Sequence, residues 1–543
     1  MKTLILLLLT VSISIRAANV NRLNGSVNFL SIDFSIPGPV LPVELARSYN
    51  SITAVNETTG WNGAFGWGWS SLAESVLTLT GDRKVLLRDG LSATTITFAS
   101  VKESPEIKTQ FNSDLKRAYF KERYGRKVND SELAGLTLPP QMEARMANEP
   151  KYRAELAAKF HITSPLPRGE VLVASEGQTL AFRNNQWIRQ HDGGSQAYDK
   201  EGRLVRQTDK NGFALFFTYS QQDKGQFATI RSEDKSVFMK FTWRKNKIIE
   251  VVDNRNMRTT YHYDAQGNLT KVTDSANQTY GYRFENPRFP HLITGIDYIS
   301  DSTDGKPVTR ELRYDDNGLV TFIRDKDGAE TLYSYGKSTS DPRDHFWTKY
   351  TTKRPDGTTD EQLDDYTIKT EPNGARYLAR LEVKKNGKTT ATSYLPASGQ
   401  PSQVVEDGVA TNYKYYPNGL LMEKTGPSES LKIEYDPRFN KVSQISKNSF
   451  VSTFKYDDKG NIIQASNSKS ELVTLGYDRF GRITEMRSPS GPKLTFRYGN
   501  QGKPTVIDDK ANGTIRITYD PTGRIVRTET LPHSGRTPSG KKP

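Results

Sequence analysis

Five tyrosines in the last fifth of the chain recur at a constant interval. Tyr435, Tyr456, Tyr477, Tyr498 and Tyr519 are each 21 residues apart, and all but Tyr498 are followed by Asp. A fixed period of this length constrains the fold strongly, because every copy must form the same structural unit. The same Tyr-Asp pair, with a Gly three residues after the Asp, also occurs far upstream. We predict structural roles for the signature residues Tyr198, Asp199, Gly202, Tyr263, Asp264, Gly267, Tyr314, Asp315, Gly318, Tyr456, Asp457, Gly460, Tyr477, Asp478, Gly481, Tyr519, Asp520 and Gly523.

Each copy of the repeat has the pattern of a β-hairpin. Apolar residues occupy the signature tyrosine and the positions two and four before it, as in Val473, Leu475 and Tyr477. This period of two is typical of a strand with one apolar face, and we expect that apolar row to be buried. Asp followed by Gly three residues later favours a tight turn. A second turn signal half a period away completes two strands and two turns.

The number of hairpins predicts an all-β fold built from one long sheet. Between Tyr198 and Tyr519 there is room for about fifteen hairpins. A lone hairpin is marginally stable in water, so the stack must be the folding unit. At ~4.8 Å per strand, so many strands cannot close around a filled core, and we expect the sheet to coil around a cavity. A β-solenoid or a propeller is the alternative, although a 21-residue period fits neither well.

The N-terminus is typical of an exported protein. Lys2, an apolar run over residues 4–15 and Ala17 predict a signal peptide over residues 1–17. The run is too short to span a bilayer comfortably, and we expect no membrane span. The chain has no Cys, which favours a bacterial product among exported proteins of this length. We therefore expect a secreted protein, located in the periplasm, on the cell surface or outside the cell.

Residues 18–100 and 168–528 together resemble a known family. The first region carries Asp-Phe-Ser-Ile-Pro-Gly-Pro at 33–39 and Gly-Trp-Gly-Trp-Ser at 66–70, and the second carries the Tyr-Asp repeats. This combination resembles Rhs/YD-repeat proteins, a group similar to the shells of insecticidal toxin complexes and of teneurins. The resemblance implies that the repeats spiral into a hollow β-shell, which the N-terminal segment helps to close.

The resemblance also implies a cargo, because shells of this family often enclose a toxic C-terminal domain. Only twenty residues follow Gly523 here, and residues 529–543 are polar, basic and rich in Pro and Gly. We expect this tail to be disordered and to carry no cargo domain.

Residues 101–167 interrupt the strand pattern with a helical one. Asn148-Glu149-Pro150 is a helix start, and Tyr152, Leu156 and Phe160 follow at intervals of four. We expect a helical insertion that packs against or caps the sheet. A lid or partner-docking element is the alternative, and a small enzyme domain is a third.

Neither charge nor motifs point to catalysis or to nucleic-acid binding. The formal charge of +14 is spread along the repeats rather than gathered in a patch, and we expect no nucleic-acid partner. The six histidines lie far apart in sequence, and we interpret the Asp residues of the repeats as turn formers rather than catalytic acids. His-Glu-x-x-His, Gly-x-Ser-x-Gly and phosphate-loop motifs are missing from the sequence. We predict no catalytic residues, no metal site and no cofactor.

The sequence favours a secreted, non-enzymatic scaffold that binds or encloses a partner. The expected partner is a protein cargo or a second shell component, since the array suits a partial shell completed by another chain. A surface adhesin that stacks envelope glycans on Tyr and Trp is the alternative. A toxin-related effector is the third reading.

Overall fold

The computed structural model describes the chain between residues 19 and 532. Its description leaves out residues 37–42, 56, 59, 82, 92–94, 101–104, 163–164, 175–177, 192–193, 221–224, 304–305, 372–375, 397, 490, 492, 500, 511 and 521–524. The predicted signal peptide, Gly523 and most of the predicted tail lie outside the described residues.

The chain divides into two compact units, described separately below. The first unit comprises the described residues of Met1–Ser71, Asn211–Phe213 and Thr218–Pro543. The second comprises those of Leu72–Lys210 and Ala214–Phe217.

The first unit opens with six short strands, which we call the head segment (residues 19–71). They are β1 (Asn19–Asn21), β2 (Ser26–Ile36), β3 (Val43–Asn50), β4 (Asn62–Gly63), β5 (Gly66–Trp67) and β6 (Trp69–Ser71). Strands β1, β2, β3 and β6 form a sheet in that order, and β4 pairs with β5. A buried aromatic cluster holds the four-stranded sheet, with the ring of Tyr49 stacked on Phe29 and both rings against Trp69.

The second unit joins an antiparallel sheet to the helical insertion. Its strands are β7 (Val76–Leu79), β8 (Val85–Arg88), β9 (Thr95–Ser100), β10 (Val171–Val173), β11 (Thr179–Arg183), β12 (Gln186–His191), β13 (Gly194–Tyr198) and β14 (Leu204–Asp209). The helices are α1 (Pro105–Tyr124), α2 (Asp130–Gly135), α3 (Pro140–Asn148) and α4 (Pro150–Phe160).

Local signals set the helix boundaries. Asn129 and Glu132 form a reciprocal capping box at the start of α2, and α3 and α4 each begin with a proline in the first helical turn. The helices pack around their own core, in which Phe111, Leu115 and Met146 are buried.

The repeat array forms a long antiparallel sheet. Its remaining strands are β15 (Ala214–Tyr219), β16 (Phe227–Ser232), β17 (Phe238–Arg244), β18 (Lys247–Asp253), β19 (Arg258–Tyr263), β20 (Leu269–Thr273), β21 (Thr279–Arg283), β22 (Gly295–Thr303), β23 (Lys306–Tyr314), β24 (Val320–Arg324), β25 (Glu330–Lys337), β26 (His345–Lys353), β27 (Thr359–Thr370), β28 (Arg376–Lys385), β29 (Lys388–Tyr394), β30 (Pro401–Glu406), β31 (Val409–Tyr415), β32 (Leu421–Thr425), β33 (Ser430–Asp436), β34 (Lys441–Lys447), β35 (Phe450–Tyr456), β36 (Ile462–Asn467), β37 (Leu472–Tyr477), β38 (Ile483–Arg487), β39 (Leu494–Tyr498), β40 (Pro504–Asp509), β41 (Gly513–Tyr519) and β42 (Ile525–Leu531).

Consecutive strands of the array are neighbours in the sheet, as expected for stacked hairpins. The predicted all-β repeat sheet with a helical insertion is confirmed. Strand β42 runs to Leu531, so its last three residues lie beyond position 528, where we expected the array to end.

Candidate functional site

The signature aspartates organise the turns of the array. The carboxylate oxygen Oδ1 of Asp478 accepts hydrogen bonds from the backbone N–H groups of Phe480 and Arg482, at 2.9 and 3.0 Å. Its other oxygen accepts one from the Arg482 side chain at 2.6 Å. Burial opposes ionisation of Asp478, but these hydrogen bonds outweigh it and hold the pKa of the carboxyl below its ordinary value. Asp264, Asp315 and Asp457 accept backbone hydrogen bonds from the same two positions, and Asp199 accepts one from Arg203.

The signature glycines follow in the left-handed region of backbone space. Gly202, Gly267, Gly318, Gly460 and Gly481 have φ between 74° and 85°. At Gly202 a Cβ atom would also lie 2.1 Å from the carbonyl oxygen of Leu77, so close approach and backbone angle both require glycine.

Each signature tyrosine is the last residue of its strand, and its hydroxyl donates a hydrogen bond. The hydroxyl of Tyr477 donates to the carbonyl of Ile462 at 2.7 Å, and that of Tyr456 donates to Val442 at 2.6 Å. Tyr263, Tyr314 and Tyr519 donate to earlier carbonyls in the same way. Tyr198 instead donates to the Gln196 side chain. Burial raises the pKa of Tyr477, as expected for a phenol kept neutral.

A β-bulge accompanies these tyrosines, and the sequence pattern did not reveal it. The register shifts at Tyr456, Tyr477 and Tyr519, and also at Tyr198, Tyr263 and Tyr314. A bulge bends its strand and increases the local twist.

The cross-strand registers of the first unit place the apolar row on one face of the sheet. Phe454 lies opposite Ala465, Ala465 opposite Val473, and Leu475 opposite Met486. Residues directly opposite in antiparallel strands share a face. We call the face that carries the signature tyrosines of the first unit the tyrosine face, and the other the polar face.

The head segment contacts the tyrosine face over strands β18 to β27, and its main anchor is a buried ion pair. Arg47 donates to both carboxylate oxygens of Asp33, and Tyr261 of the sheet donates to the same carboxylate at 2.8 Å. The Arg47 guanidinium also lies 4.3 Å from the ring centre of Trp69. Burial opposes the charge on Arg47, but the attraction of Asp33 outweighs it and raises the pKa of the guanidinium. This pair fixes the head segment on the sheet.

A second anchor surrounds His291, which is 4 % exposed. Its ring stacks on Trp67 of the head segment, with centroids 4.2 Å apart. Its Nδ1 lies 2.7 Å from the side-chain oxygen of Asn268, and its Nε2 lies 3.2 Å from a carboxylate oxygen of Glu57. Because the amide nitrogen of Asn268 donates to Asp264 and to a backbone carbonyl, its oxygen is left to accept from Nδ1.

A third anchor is the turn between β1 and β2. Arg22 forms an ion pair with the buried Asp364 at 3.2 Å and donates to the hydroxyl of Tyr350 at 3.0 Å. The carbonyl of Arg22 accepts from Thr348 at 2.6 Å, and that of Gly25 accepts from the backbone of Val320. Polypeptide is therefore held on this face by main-chain and side-chain bonds together.

Beyond β28 the tyrosine face is uncovered in the part of the chain that the structure describes. Tyr261 and Tyr282, under the head segment, are 2 % and 3 % exposed. Phe454, Leu475 and Phe496, at equivalent positions further along, are only half-buried. The apolar row is therefore buried under the head segment and only half-buried at these three positions. The reason is that no described layer packs on them.

The structure places two histidines beside carboxylates that lie far away in sequence, which the sequence analysis missed. His291 faces Glu57, and His345 Nε2 lies 2.6 Å from Asp365. Both pairs depend on long-range contacts that leave no local signal. Among the described residues, no group of three or more His, Asp or Glu side chains is arranged to hold a metal ion.

The uncovered tyrosine face is the candidate functional site. From β29 to β41, at about 4.8 Å per strand, it extends about 60 Å along the sheet. Partly exposed apolar side chains gathered on one face often mark an interaction site. Half-exposed aromatic and aliphatic side chains supply contact area and stacking for binding. No helix in the described part of the chain has the length and apolar character needed to cross a membrane.

Three sequence models of known families match the chain. A domain of unknown function, DUF6531, matches residues 18–98, the RHS Repeat matches residues 243–279, and the Teneurin YD-shell matches residues 379–525. Teneurin-m of Drosophila melanogaster is 24 % identical over 161 residues, which are 29 % of this chain and 5 % of that protein.

Two solved structures match most of the chain at low identity. A chain of the Photorhabdus luminescens Tc holotoxin pore matches 93 % of this chain and 27 % of its own length, at 12 % identity and a TM-score of 0.42. A chain of the TcdB2-TccC3 complex without its hypervariable C-terminal region matches 94 % and 30 %, at 11 % identity and a TM-score of 0.39. The chain thus spans less than one third of each of these relatives.

The family assignment rests on the sequence matches, which fall on both the head segment and the array. The RHS Repeat match covers β18 to β20, and the YD-shell match begins within β28. Within these regions lie the turns at Asp264, Asp457 and Asp478, whereas those at Asp199 and Asp315 lie outside them. The chain therefore carries Rhs/YD-repeat sequence and is similar to Rhs/YD-repeat proteins of the YD-shell type over the matched residues.

Proposed function

We propose that the protein is a secreted, non-enzymatic scaffold that binds a polypeptide partner on the uncovered tyrosine face. The observation that carries this proposal is the contrast along one face. The head segment buries the first part of the face, whereas Phe454, Leu475 and Phe496 further along stay half-exposed, and Leu494 and Ile517 near the end of the array are buried. The head segment itself demonstrates how polypeptide is held there.

The partner is a protein cargo or a second component that completes a hollow shell. The similarity to the Teneurin YD-shell over residues 379–525 supports a shell role. The signal peptide predicted over residues 1–17 supports export. Toxicity is not part of the proposal, because the described residues present a binding surface rather than a catalytic constellation.

The test uses a defined unfolded polypeptide as the probe, fluorescein-labelled reduced and carboxymethylated α-lactalbumin. Phe454→Lys combined with Leu475→Lys places two charges on the tyrosine face. The matched control is Thr453→Lys combined with Thr474→Lys, since these neighbours alternate onto the polar face. We expect the first pair to weaken binding by about fivefold or more, equivalent to about 1 kcal/mol, and the control pair to leave it unchanged.

Equal binding by wild type and both variants, with all three equally folded in thermal melts, would contradict the proposal. Binding of chitin oligomers or peptidoglycan, instead of the unfolded protein, would support the glycan-binding alternative. The tyrosine hydroxyls already donate to backbone carbonyls, so a glycan would be bound by ring stacking and by hydroxyls that only accept.

A further inference from the structure

A cleft lies where the head segment ends on the tyrosine face. It has a volume of about 800 Å³ and opens beside Leu23 and Asn24, at the turn between β1 and β2. Strands β25 to β28 form its floor, through Tyr335, Phe346, Ile368 and Leu378. The size and the mostly apolar floor are those of a ligand-binding cleft.

The cleft continues a surface that already binds polypeptide. Immediately beside it, Arg22 is held through its side chain by Asp364 and through its carbonyl by Thr348. The head segment turns back at Leu23, which is 44 % exposed, and leaves the rest of the cleft unfilled by described residues. The cleft is therefore contiguous with an established interface and lies next to the uncovered strands.

The charges around the cleft favour an acidic occupant. Lys337 and Arg343 line it, are exposed, and form no ion pair with any residue that the structure describes. Asp315, the carboxylate in the lining, is already engaged by backbone N–H groups of its own turn. A third cation, Arg376, is paired with Asp344. An acidic segment would gain two ion pairs without displacing an existing one.

We propose that this cleft anchors an extended acidic segment of the polypeptide partner, with apolar side chains on the floor and carboxylates at Lys337 and Arg343. The proposal rests on the proposed function and names the chemistry of the partner's first contact. It places that contact at the boundary between the covered and the uncovered parts of the tyrosine face. Electrostatic attraction at the rim would make the binding depend on ionic strength.

The experiment measures fluorescence anisotropy with two labelled peptides. One is Gly-Glu-Leu-Asp-Phe-Glu-Gly, and the other carries Lys at the three acidic positions. Lys337→Glu combined with Arg343→Glu reverses the charge of the rim. Lys240→Glu combined with Lys271→Glu is the control, since both lysines are exposed on the polar face and the change in net charge is the same.

We expect the wild type and the control to bind the acidic peptide at least about tenfold more tightly than the basic one. The rim variant should lose that preference. Added salt should weaken the binding of the acidic peptide to the wild type. Equal affinity for both peptides, or an unchanged preference in the rim variant, would overturn the proposal. Leu378→Ala is a second test. It should weaken the binding of the acidic peptide without changing how that binding depends on salt.

Failure of the cleft can be told apart from failure of the scaffold. If carboxymethylated α-lactalbumin binds and responds to Phe454→Lys with Leu475→Lys, but not to the rim variant, then the scaffold stands and the cleft proposal is wrong. If neither the peptides nor the unfolded protein bind to the wild type, both proposals are wrong.

Discussion

At the scale of single residues, the repeat signature satisfies polar groups at the ends of strands. Asp478 accepts N–H groups of the turn, while Tyr477 donates its hydroxyl to a carbonyl of the preceding hairpin. Backbone groups left unpaired in a half-buried sheet would destabilise it. The signature therefore links one hairpin to the next as well as forming the turn.

Gly481 should be the more sensitive of two glycines in one repeat. Gly481 has φ of 76°, and a Cβ there would lie 2.4 Å from the Asn211 side chain. Gly481→Ala should lower the free energy of unfolding by about 1 kcal/mol or more. Gly476 has no such backbone strain and room for a Cβ at 3.6 Å from Glu485, so Gly476→Ala should be neutral or slightly stabilising. Equal shifts in urea denaturation would contradict the turn assignment.

Tyr477→Phe tests the hydroxyl bond between hairpins. The substitution keeps the ring but removes the donor to Ile462, and should cost about 1 kcal/mol in the free energy of unfolding. Tyr413 makes no side-chain hydrogen bond to any described residue, and Tyr413→Phe serves as the control. Chemical denaturation of both variants gives the comparison, and identical midpoints would argue against a role for the hydroxyl.

At the scale of elements, the head segment determines which part of the sheet is buried. Its sheet brings Asp33 and Arg47 together, and the Asp33 carboxylate then accepts from Tyr261 of the array. The same segment supplies Trp67 to His291 and Arg22 to Asp364. Three anchors along one face make the head segment part of the folded array rather than an appendage.

Asp33→Ala should destabilise the protein strongly. It leaves the fully buried Arg47 without its carboxylate, and breaking such a pair typically costs about 3–5 kcal/mol. Asp458 faces Arg438 at 3.8 Å on the surface, so Asp458→Ala should change the free energy of unfolding by about 1 kcal/mol at most. Thermal melts of the two variants provide the measurement, and comparable losses would mean that Asp33 does not anchor the head segment.

Two glutamates of the array, Glu429 and Glu485, should contribute to stability in a defined pH range. Hydrogen bonds from Lys424 and Lys447 lower the pKa of Glu429 to about 2, and those from Arg487 and Lys493 lower the pKa of Glu485 to about 2, from an ordinary 4.5. Because the folded-state pKa is depressed, the contribution is complete above pH 4.5 and is lost as the pH falls towards 2.

Glu429→Gln combined with Glu485→Gln should therefore flatten the fall of melting temperature between these pH values. Glu233→Gln combined with Glu434→Gln removes two exposed carboxylates that form no ion pair with described residues, and is the control. If the double variant and its control have the same pH profile, the ion pairs do not stabilise the fold.

At the scale of the whole molecule, the array has a part that the head segment covers and a part that it leaves uncovered. Both parts are built from the same repeating sequence pattern. Local stability in a sheet depends on the apolar contacts that pack against it. Under the head segment, Val251, Val272 and Ile296 are fully buried. Beyond β28, the only fully apolar side chains buried among the described residues are Ala391, Leu494 and Ile517.

Hydrogen exchange should report this difference directly. Backbone amides of β19 to β24 should exchange more slowly than those of β33 to β38, although both sets are paired in the same kind of ladder. Mass spectrometry of exchanged peptides gives the measurement. Uniform protection along the array would mean that the uncovered face is packed in solution, for example against a second copy.

The sequence alone determined the repeating unit. Alternation around Leu475 and Tyr477 encodes a strand with one apolar face, and Asp478 with Gly481 encodes the turn, because both signals act within a few residues. The helical insertion was equally predictable, since Pro150 and the spacing of Tyr152 and Leu156 are signals that act within a few residues.

Only the tertiary structure decided where the repeat is buried and where it can bind. The burial of Arg47, the His291 anchor and the cleft floor at Phe346 join residues hundreds of positions apart, as in the contact of Arg22 with Asp364. The period is the same in the covered and uncovered parts, so no local pattern distinguishes Tyr261 from Phe454. What distinguishes them is whether the head segment packs above, and that depends on long-range contacts.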